Sequence, residues 1–484
     1  MIYAGSTLPR GATLEADLCV IGTGAGGSVV AALAAEAGLR VVVLEAGGFY
    51  TPADFSQREE EMFPRLYWDA GGRTSADRSV KIHQGQGVGG STLHNLNLCK
   101  RVPEALRRRW TRDRGLAHLP TEAWDLLYAE VEALLSVARI PADTWNRHNR
   151  LLAAGADALG WRWSGLSHNR TGCVGSGFCE LGCAWDAKNN AAKVFIPRAV
   201  QGGAEVFTRT QAVRIHHDGR RVSGVGAVVL DPDRPIPLYA ITVQASRVCL
   251  AASATGTAAL LDRSAVPDPS RTAGRRLHLH PAAVVAGVFA EPVEAWRGAP
   301  QTVEVTEHLD LEHEDGGRVW IVPAFAHPVG TASLIPGWGA PHRARMEQYA
   351  HLAAFTAMIH DQTSGGVRAQ GDLGLSIDYA PNADDLAELD RGVAACAALM
   401  RAAGATEVLL PTRPYDLTAV HPTATVPMGD DPAHAAVGSD GRHHHLDGLW
   451  IADGSLFPTS TGVPPQLTIY ALGLHVGRKL IAAG

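Results

Sequence analysis

The sequence has no apolar run approaching 18 residues. Its longest candidate, AAVVAGVFA at 282–290, is too short to span a bilayer and suits a core strand. A one-sided charge is also missing. The formal net charge is −6, and no basic stripe with interleaved aromatics appears, which argues against a nucleic-acid partner. Lysine is scarce, so the positive charge is nearly all arginine, a compositional bias rather than chemistry. The seven cysteines are odd in number and unevenly placed, unlike a secreted disulfide framework. The N-terminus, MIYAGSTLPRGATLEADLCVIG, lacks a charged-then-apolar signal design and runs almost at once into a buried strand. These absences lead to the expectation of a cytoplasmic enzyme without a transmembrane segment.

What is present is 484 residues, 46% hydrophobic and 19% charged, enough for two domains or one large discontinuous one. DLCVIG (17–22) is a short apolar run that stops at glycines. SVVAALAAEAG (28–38) then has helical composition ending at Gly38, and LRVVVLEAGG (39–48) is a second β-branched run. This is a strand–helix–strand unit of the kind that builds a parallel sheet. Helical spacing recurs at 121–138, after Pro120–Thr121, and at 383–403, where Cys396 falls on the core face. The Pro- and Asp-rich stretches 231–237 and 263–271 read as loops between strands.

GTGAGG (22–27) sets Gly22, Gly24 and Gly27 in GxGxxG register between the first strand and the helix. The first glycine makes a tight turn, the second lets backbone approach a pyrophosphate, and the third allows close helix–strand packing. Glu45 ends the next strand, where a carboxylate can accept both ribose hydroxyls and would repel the 2′-phosphate of NADP. The pattern predicts dinucleotide binding.

A second loop, HQGQGVGGSTLHN (83–95), has four glycines in six residues and ends in Ser, Thr, His and Asn, donors suited to a flat heterocycle. GVGGSTLHN resembles a signature of the glucose–methanol–choline (GMC) oxidoreductase family. GLWIADGSLFPTSTGVPPQLTIYALG (448–473) resembles that family's C-terminal flavin-contacting stretch, AVHPTATVPMG (419–429) the segment carrying its catalytic histidine, and LAASATGTAALL (250–261) a degraded second signature. The resemblance implies an α/β architecture. A Rossmann-like FAD-binding domain would use residues 1–284 and 421–484, with an inserted antiparallel-sheet substrate domain at 285–420. It implies that Gly22, Gly24, Gly27 and Glu45 hold the ADP half, with Val213 meeting the adenine through its backbone. Gly89, Gly90 and Asn95 would lie along the isoalloxazine, and Asp453 and Gly454 would meet the pyrophosphate and flavin end. The implied activity is oxidation of an alcohol or sugar hydroxyl by hydride transfer to flavin N5.

That reaction also needs a base for the hydroxyl proton, and histidine suits it because its pKa lies near working pH. His421 occupies the matching position. The family's second active-site position, usually His or Asn, falls on Pro464, which has neither a side-chain hydrogen-bonding group nor a backbone N–H. Either His421 works alone or with another group, such as Gln466, or the substrate needs less help. The remaining alternative is altered chemistry on the same fold, such as a lyase. His94 stands where some family members attach the flavin covalently; the other reading is a histidine bonded to nearby backbone.

Cys173, Cys179 and Cys183 lie within TGCVGSGFCELGC. Their spacing lacks the CxxC pairs of zinc sites. It resembles the loop that carries a [3Fe–4S] cluster in catalytic subunits of FAD-dependent glucose dehydrogenases, which would imply an electron-transfer protein partner; small cysteines packed beside glycines are the other reading. His443, His444 and His445 read as exposed in a turn, and His278 and His280 as sharing one face of a strand. Trp296, Trp320, Phe325, Trp338 and Tyr349 could stack on a sugar, close an apolar pocket or simply fill core.

Overall fold

The computed structural model describes residues 1–484 except 314, 325 and 326, so Phe325 lies outside the described residues. The expected unit forms: strand Thr13–Ile21, helix Ala25–Glu36 and strand Val41–Leu44. Val41 to Leu44 are all buried, the pattern of a parallel strand covered on both faces. The helix is mostly Ala, Gly and Val and is buried on nearly every side rather than along one stripe. It lies against the C-terminal helix Gln466–Ala482, where a Cβ on Gly473 would sit 3.0 Å from the Gly26 carbonyl oxygen. Small residues on both helices let the two backbones meet.

The first sheet runs Ile2–Ala4, Glu205–Thr208, Val41–Leu44, Thr13–Ile21 and Pro237–Leu250, all parallel. The long strand Pro237–Leu250 carries an antiparallel meander, Val222–Leu230 and Thr210–His217, along its first half. Its last residues pair in parallel with Leu449–Ile451 near the C-terminus. The second sheet is mainly antiparallel, in the order Val80–Ile82, Leu417–Ala419, Ala282–Val288, Leu352–Ile359, Val319–Pro323, Val303–Val305 and Trp163–Gly165. Two of its strands, Val80–Ile82 and Trp163–Gly165, come from well before residue 285.

The apolar run at 282–290 is the buried strand Ala282–Val288, and the two periodic stretches are helices Thr121–Leu134 and Ala383–Ala402, with Cys396 in the core. Two expectations fail. His278 and His280 lie on no regular strand: His278 makes one isolated bridge to Thr423, and His280 is left-handed at φ +57°. His443 is buried, not exposed, and His444 hydrogen-bonds the Gly429 carbonyl at 2.8 Å. The packing of this turn against 429–437 removes it from solvent. Among the described residues no helix is long and apolar enough to cross a membrane.

Candidate active site

A cavity of about 800 Å³ extends from the carboxyl ends of strands Thr13–Ile21 and Val41–Leu44 to the face of the second sheet. Crevices at the carboxyl ends of parallel strands are where such folds bind ligands. Gly22 is left-handed at φ +98°, and a Cβ there would lie 2.3 Å from the Ala251 carbonyl oxygen. A Cβ on Gly27 would lie 2.1 Å from the Gly22 oxygen. Gly24 has nothing within 4 Å of its missing Cβ and opens onto the cavity. Sequence reasoning passed over Gly26, whose Cβ would stand 1.6 Å from the Ala452 carbonyl oxygen. A loop from the last forty residues seals this turn, a proximity that spacing along the chain does not signal.

Glu45 lines the cavity, yet its carboxylate is already engaged. Oε2 accepts from the Thr23 hydroxyl at 2.5 Å and the Thr23 N–H at 3.1 Å, and Oε1 from the N–H groups of Gly47 at 2.9 Å and Gly87 at 3.2 Å. Burial raises its pKa above the ordinary carboxyl value, against those four donors. Thr23 Oγ1 in turn accepts from the Gly89 N–H at 3.1 Å. Glu45 and Thr23 therefore knot the two glycine loops together. Gly89 braces that knot and is not on the wall; Gly90 is, and a Cβ on it would stand 3.0 Å from Gly24 Cα.

Val213 is likewise off the wall, where Gln211 and Ala212 of the same strand appear instead. Asp453 and Gly454 line it. The Asp453 carboxylate caps the short turn Gly454–Leu456 by accepting from the Ser455 N–H at 2.9 Å, and it also accepts from the Thr257 hydroxyl at 2.5 Å. Asn95 donates to Gln466 Oε1 at 2.7 Å, and Gln466 Nε2 donates to the Leu98 carbonyl at 2.6 Å. His94 lies on the wall with its ring 4.0 Å from that of Tyr67, and its Nε2 is buried without a hydrogen-bond partner. Burial, then the nearby Lys188 ammonium, hold its pKa well below the usual value, so the ring is neutral.

His421 follows strand Leu417–Ala419 and faces the cavity, as do Pro464 and Pro465 at the entry to the last helix. Its Nδ1 lies 3.0 Å from His280 Nδ1, which leaves Nε2 as the ring nitrogen free to face the cavity. Burial lowers its pKa to about 3. Four other histidines, His148, His327, His360 and His443, are each pushed to about 4, chiefly by burial. A histidine with a lower pKa folded than unfolded leaves the unfolded chain binding more protons below about pH 6.5. The stability these groups contribute is thus complete above about 6.5 and is lost as pH falls toward 4. The melting temperature is expected to drop steeply between about pH 6.5 and 5 in thermal-melt scans; a flat profile there would contradict this.

The three cysteines surround a gap of only about 10 Å³, room for roughly one water. Cys173 Sγ accepts from Arg170 and from the Gly175 N–H, both at 3.4 Å, and Cys183 Sγ from the Ala187 N–H at 3.3 Å. Among the described residues no three metal-ligating side chains converge, so the loop as folded does not fit a cluster. Of the aromatics, Trp320 lines the cavity, Trp296 stacks on Tyr349 and Trp338 is exposed.

Two knotted glycine loops, an open-sided Gly24 and a histidine across the same cavity define a dinucleotide-binding oxidoreductase fold. The chain belongs to the GMC oxidoreductase family, whose N-terminal model matches residues 63–282 and whose C-terminal model matches residues 361–473. It is 35% identical to an uncharacterized GMC-type oxidoreductase of Mycobacterium tuberculosis, over 97% of this chain and 76% of that one. It is 23% identical to long-chain-alcohol oxidase FAO3 of Arabidopsis thaliana, over 96% of this chain and 68% of the other. Among solved structures, pyridoxine 4-oxidase from Mesorbium loti superposes with a TM-score of 0.74 at 20% identity, covering 96% and 98% of the two chains. Membership implies FAD. The residues present fit it: the pyrophosphate has the open side of Gly24 at a helix N-terminus, and the cavity has the size of a cofactor and a substrate together.

Proposed function

We propose that this chain oxidises the carbinol of an apolar alcohol, with His421 as the base and FAD held along the two glycine loops. The observation that carries this is the pose of His421, anchored at Nδ1 and facing the cavity with a neutral ring. Bound FAD supplies the hydride acceptor. His421 Nε2 takes the hydroxyl proton. The wall opposite the glycine loops supports an apolar substrate. Thr418, Ala282, Met358 and Trp320 pair side by side across the second sheet, and each of them lines the cavity. Trp320 turns its N–H away to Glu304 at 2.5 Å, leaving hydrocarbon toward the cavity. A long-chain-alcohol oxidase among the relatives supports the same reading.

The place of His94 on the cavity wall beside Asn95 and Gly90 supports a covalent flavin tether at that residue. No cluster and no electron-transfer partner enter this reading. Its test is anaerobic: a medium-chain aliphatic alcohol is expected to bleach the flavin absorbance, while glucose and choline leave it unchanged. If no alcohol bleaches it, the assignment fails. Acid precipitation of the same sample is expected to leave the yellow colour in the pellet, and His94→Ala to release it to the supernatant.

A further inference from the structure

The base reading of His421 leaves a question at Pro464, which offers no donor or acceptor from its side chain to steady the histidine or the substrate. The surroundings of His421 answer it from another direction. His280 presents its Nδ1 to His421 Nδ1 at 3.0 Å, with the ring planes inclined at 38°. A non-glycine residue at φ +57° must be held there by its neighbours. Asp361 does this: its carboxylate accepts the Leu279 N–H at 2.9 Å and the His280 N–H at 3.2 Å, and the Tyr379 hydroxyl at 2.7 Å steadies it from the far side. His278 Nδ1 lies 3.7 Å from the same carboxylate.

Resting on the reading of His421 as base, we propose that His280 is the positioning residue of this site, accepting the His421 Nδ1–H and so fixing His421 in the tautomer whose Nε2 is bare. Two nitrogens at that distance share one proton. If His421 supplies it, Nε2 can receive the substrate's hydroxyl proton; if His280 supplies it, Nε2 carries a hydrogen and cannot. The reaction requires the first arrangement. As His421 takes up the substrate proton its ring becomes cationic, and the bond to His280 becomes charge-assisted, strengthening while the charge develops. The other ionisable groups around His280 agree with this direction. His280 itself is held neutral, chiefly by burial and then by His421, and the neighbouring His360 is neutral too. The Asp361 carboxylate, held well below the ordinary range, is an anion beside His280. The pattern is base, orienting group and buried carboxylate, with the carboxylate acting on the backbone of the orienting residue instead of its ring.

The test uses the flavin-loaded enzyme and three variants. His280→Ala removes the acceptor and is expected to lower kcat on the order of 100-fold with KM within about twofold. His280→Asn tolerates the left-handed backbone and sets its amide oxygen near the place of Nδ1, so it is expected to recover most of that loss. A packing role alone would predict no advantage of Asn over Ala. The second readout is independent of turnover. ¹⁵N-histidine spectra of resting enzyme, with His421→Gln used to assign the signal, are expected to show His421 protonated at Nδ1 and to lose that fixed tautomer in His280→Ala. An Nε2-protonated His421, equal Ala and Asn variants, or an unchanged kcat in His280→Ala would overturn the proposal. Fixed Nδ1 protonation in an enzyme that no alcohol reduces would instead support the positioning and reject alcohol oxidation.

Discussion

His421→Gln is expected to lower kcat/KM for the alcohol by roughly 10²- to 10⁴-fold while the protein still purifies with its flavin. Its ring hydrogen bond runs to His280 and not to either glycine loop, so the substitution leaves the hydrogen bonds of the cofactor cradle in place. What is lost is a proton acceptor in a chamber walled by Ala282, Met358 and Trp320, where water is a poor substitute. The pH profiles separate this from a structural defect. Burial holds His421 at about 3, far below the unfolded value, so its base form is complete and the wild-type rate should be level from about pH 6 to 8. Without the base, the variant must rely on alkoxide formed in solution, and its rate should climb with pH. Anaerobic stopped-flow reduction across that range measures both. A rate within tenfold of wild type, with a level profile, would remove His421 from the chemistry.

Much of this is legible in the sequence itself. The strand–helix–strand unit, both glycine loops, His421 and the flavin-like tail carry their chemistry in short contiguous stretches, and each reaches the cavity except where register intervenes. Gly89 and Val213 show that limit. Each belongs to an element that lines the cavity, but the residues on the wall are Gly90, Gln211 and Ala212. Glu45 shows another. Its place at a strand end was correct, yet its oxygens bind Thr23, Gly47 and Gly87 because the second glycine loop closes over them, a contact between segments forty residues apart.

His280 was harder still. LHLHP alternates as a strand does, and alternation would have put His278 and His280 on one face. Asp361 holds the chain in a left-handed turn instead, so the two rings separate: His280 meets His421 and His278 meets Asp361. Nothing local in the sequence marks a left-handed histidine. The exposed reading of the three adjacent histidines failed at His443 for the same class of reason, since its burial comes from packing against the segment at 429–437. The cysteine loop is the reverse case: its resemblance to a cluster-carrying loop stood beside a plain packing reading, and the folded sulfurs do not converge on a metal-sized site.

Gly26→Ala and Gly24→Ala, two residues apart at the start of one helix, are expected to fail in opposite ways. At Gly26 the added Cβ would lie 1.6 Å from the Ala452 carbonyl oxygen and 2.7 Å from its carbon. Both atoms are backbone, so no side chain can swing aside. The segment cannot retreat, because the Ala452 N–H is bonded to Leu250 at 2.8 Å and Asp453 is locked to Ser455 and Thr257. The helix behind is fixed as well, with Gly473 packed on the Gly26 backbone. The substitution should therefore cost at least about 3 kcal/mol and leave the protein poorly soluble or melting many degrees low. Gly24→Ala meets nothing within 4 Å and has an ordinary backbone conformation, φ −66°, so its melting temperature as apoprotein should match wild type. Its Cβ instead stands at the open side of the loop, where a pyrophosphate must approach the helix N-terminus, and flavin content should fall at least tenfold. Thermal melts and flavin-to-protein absorbance ratios on the pair decide it. If Gly24→Ala keeps its flavin, the pyrophosphate does not lie over that glycine; if Gly26→Ala melts like wild type, the backbone approach at Ala452 is not the seal described above.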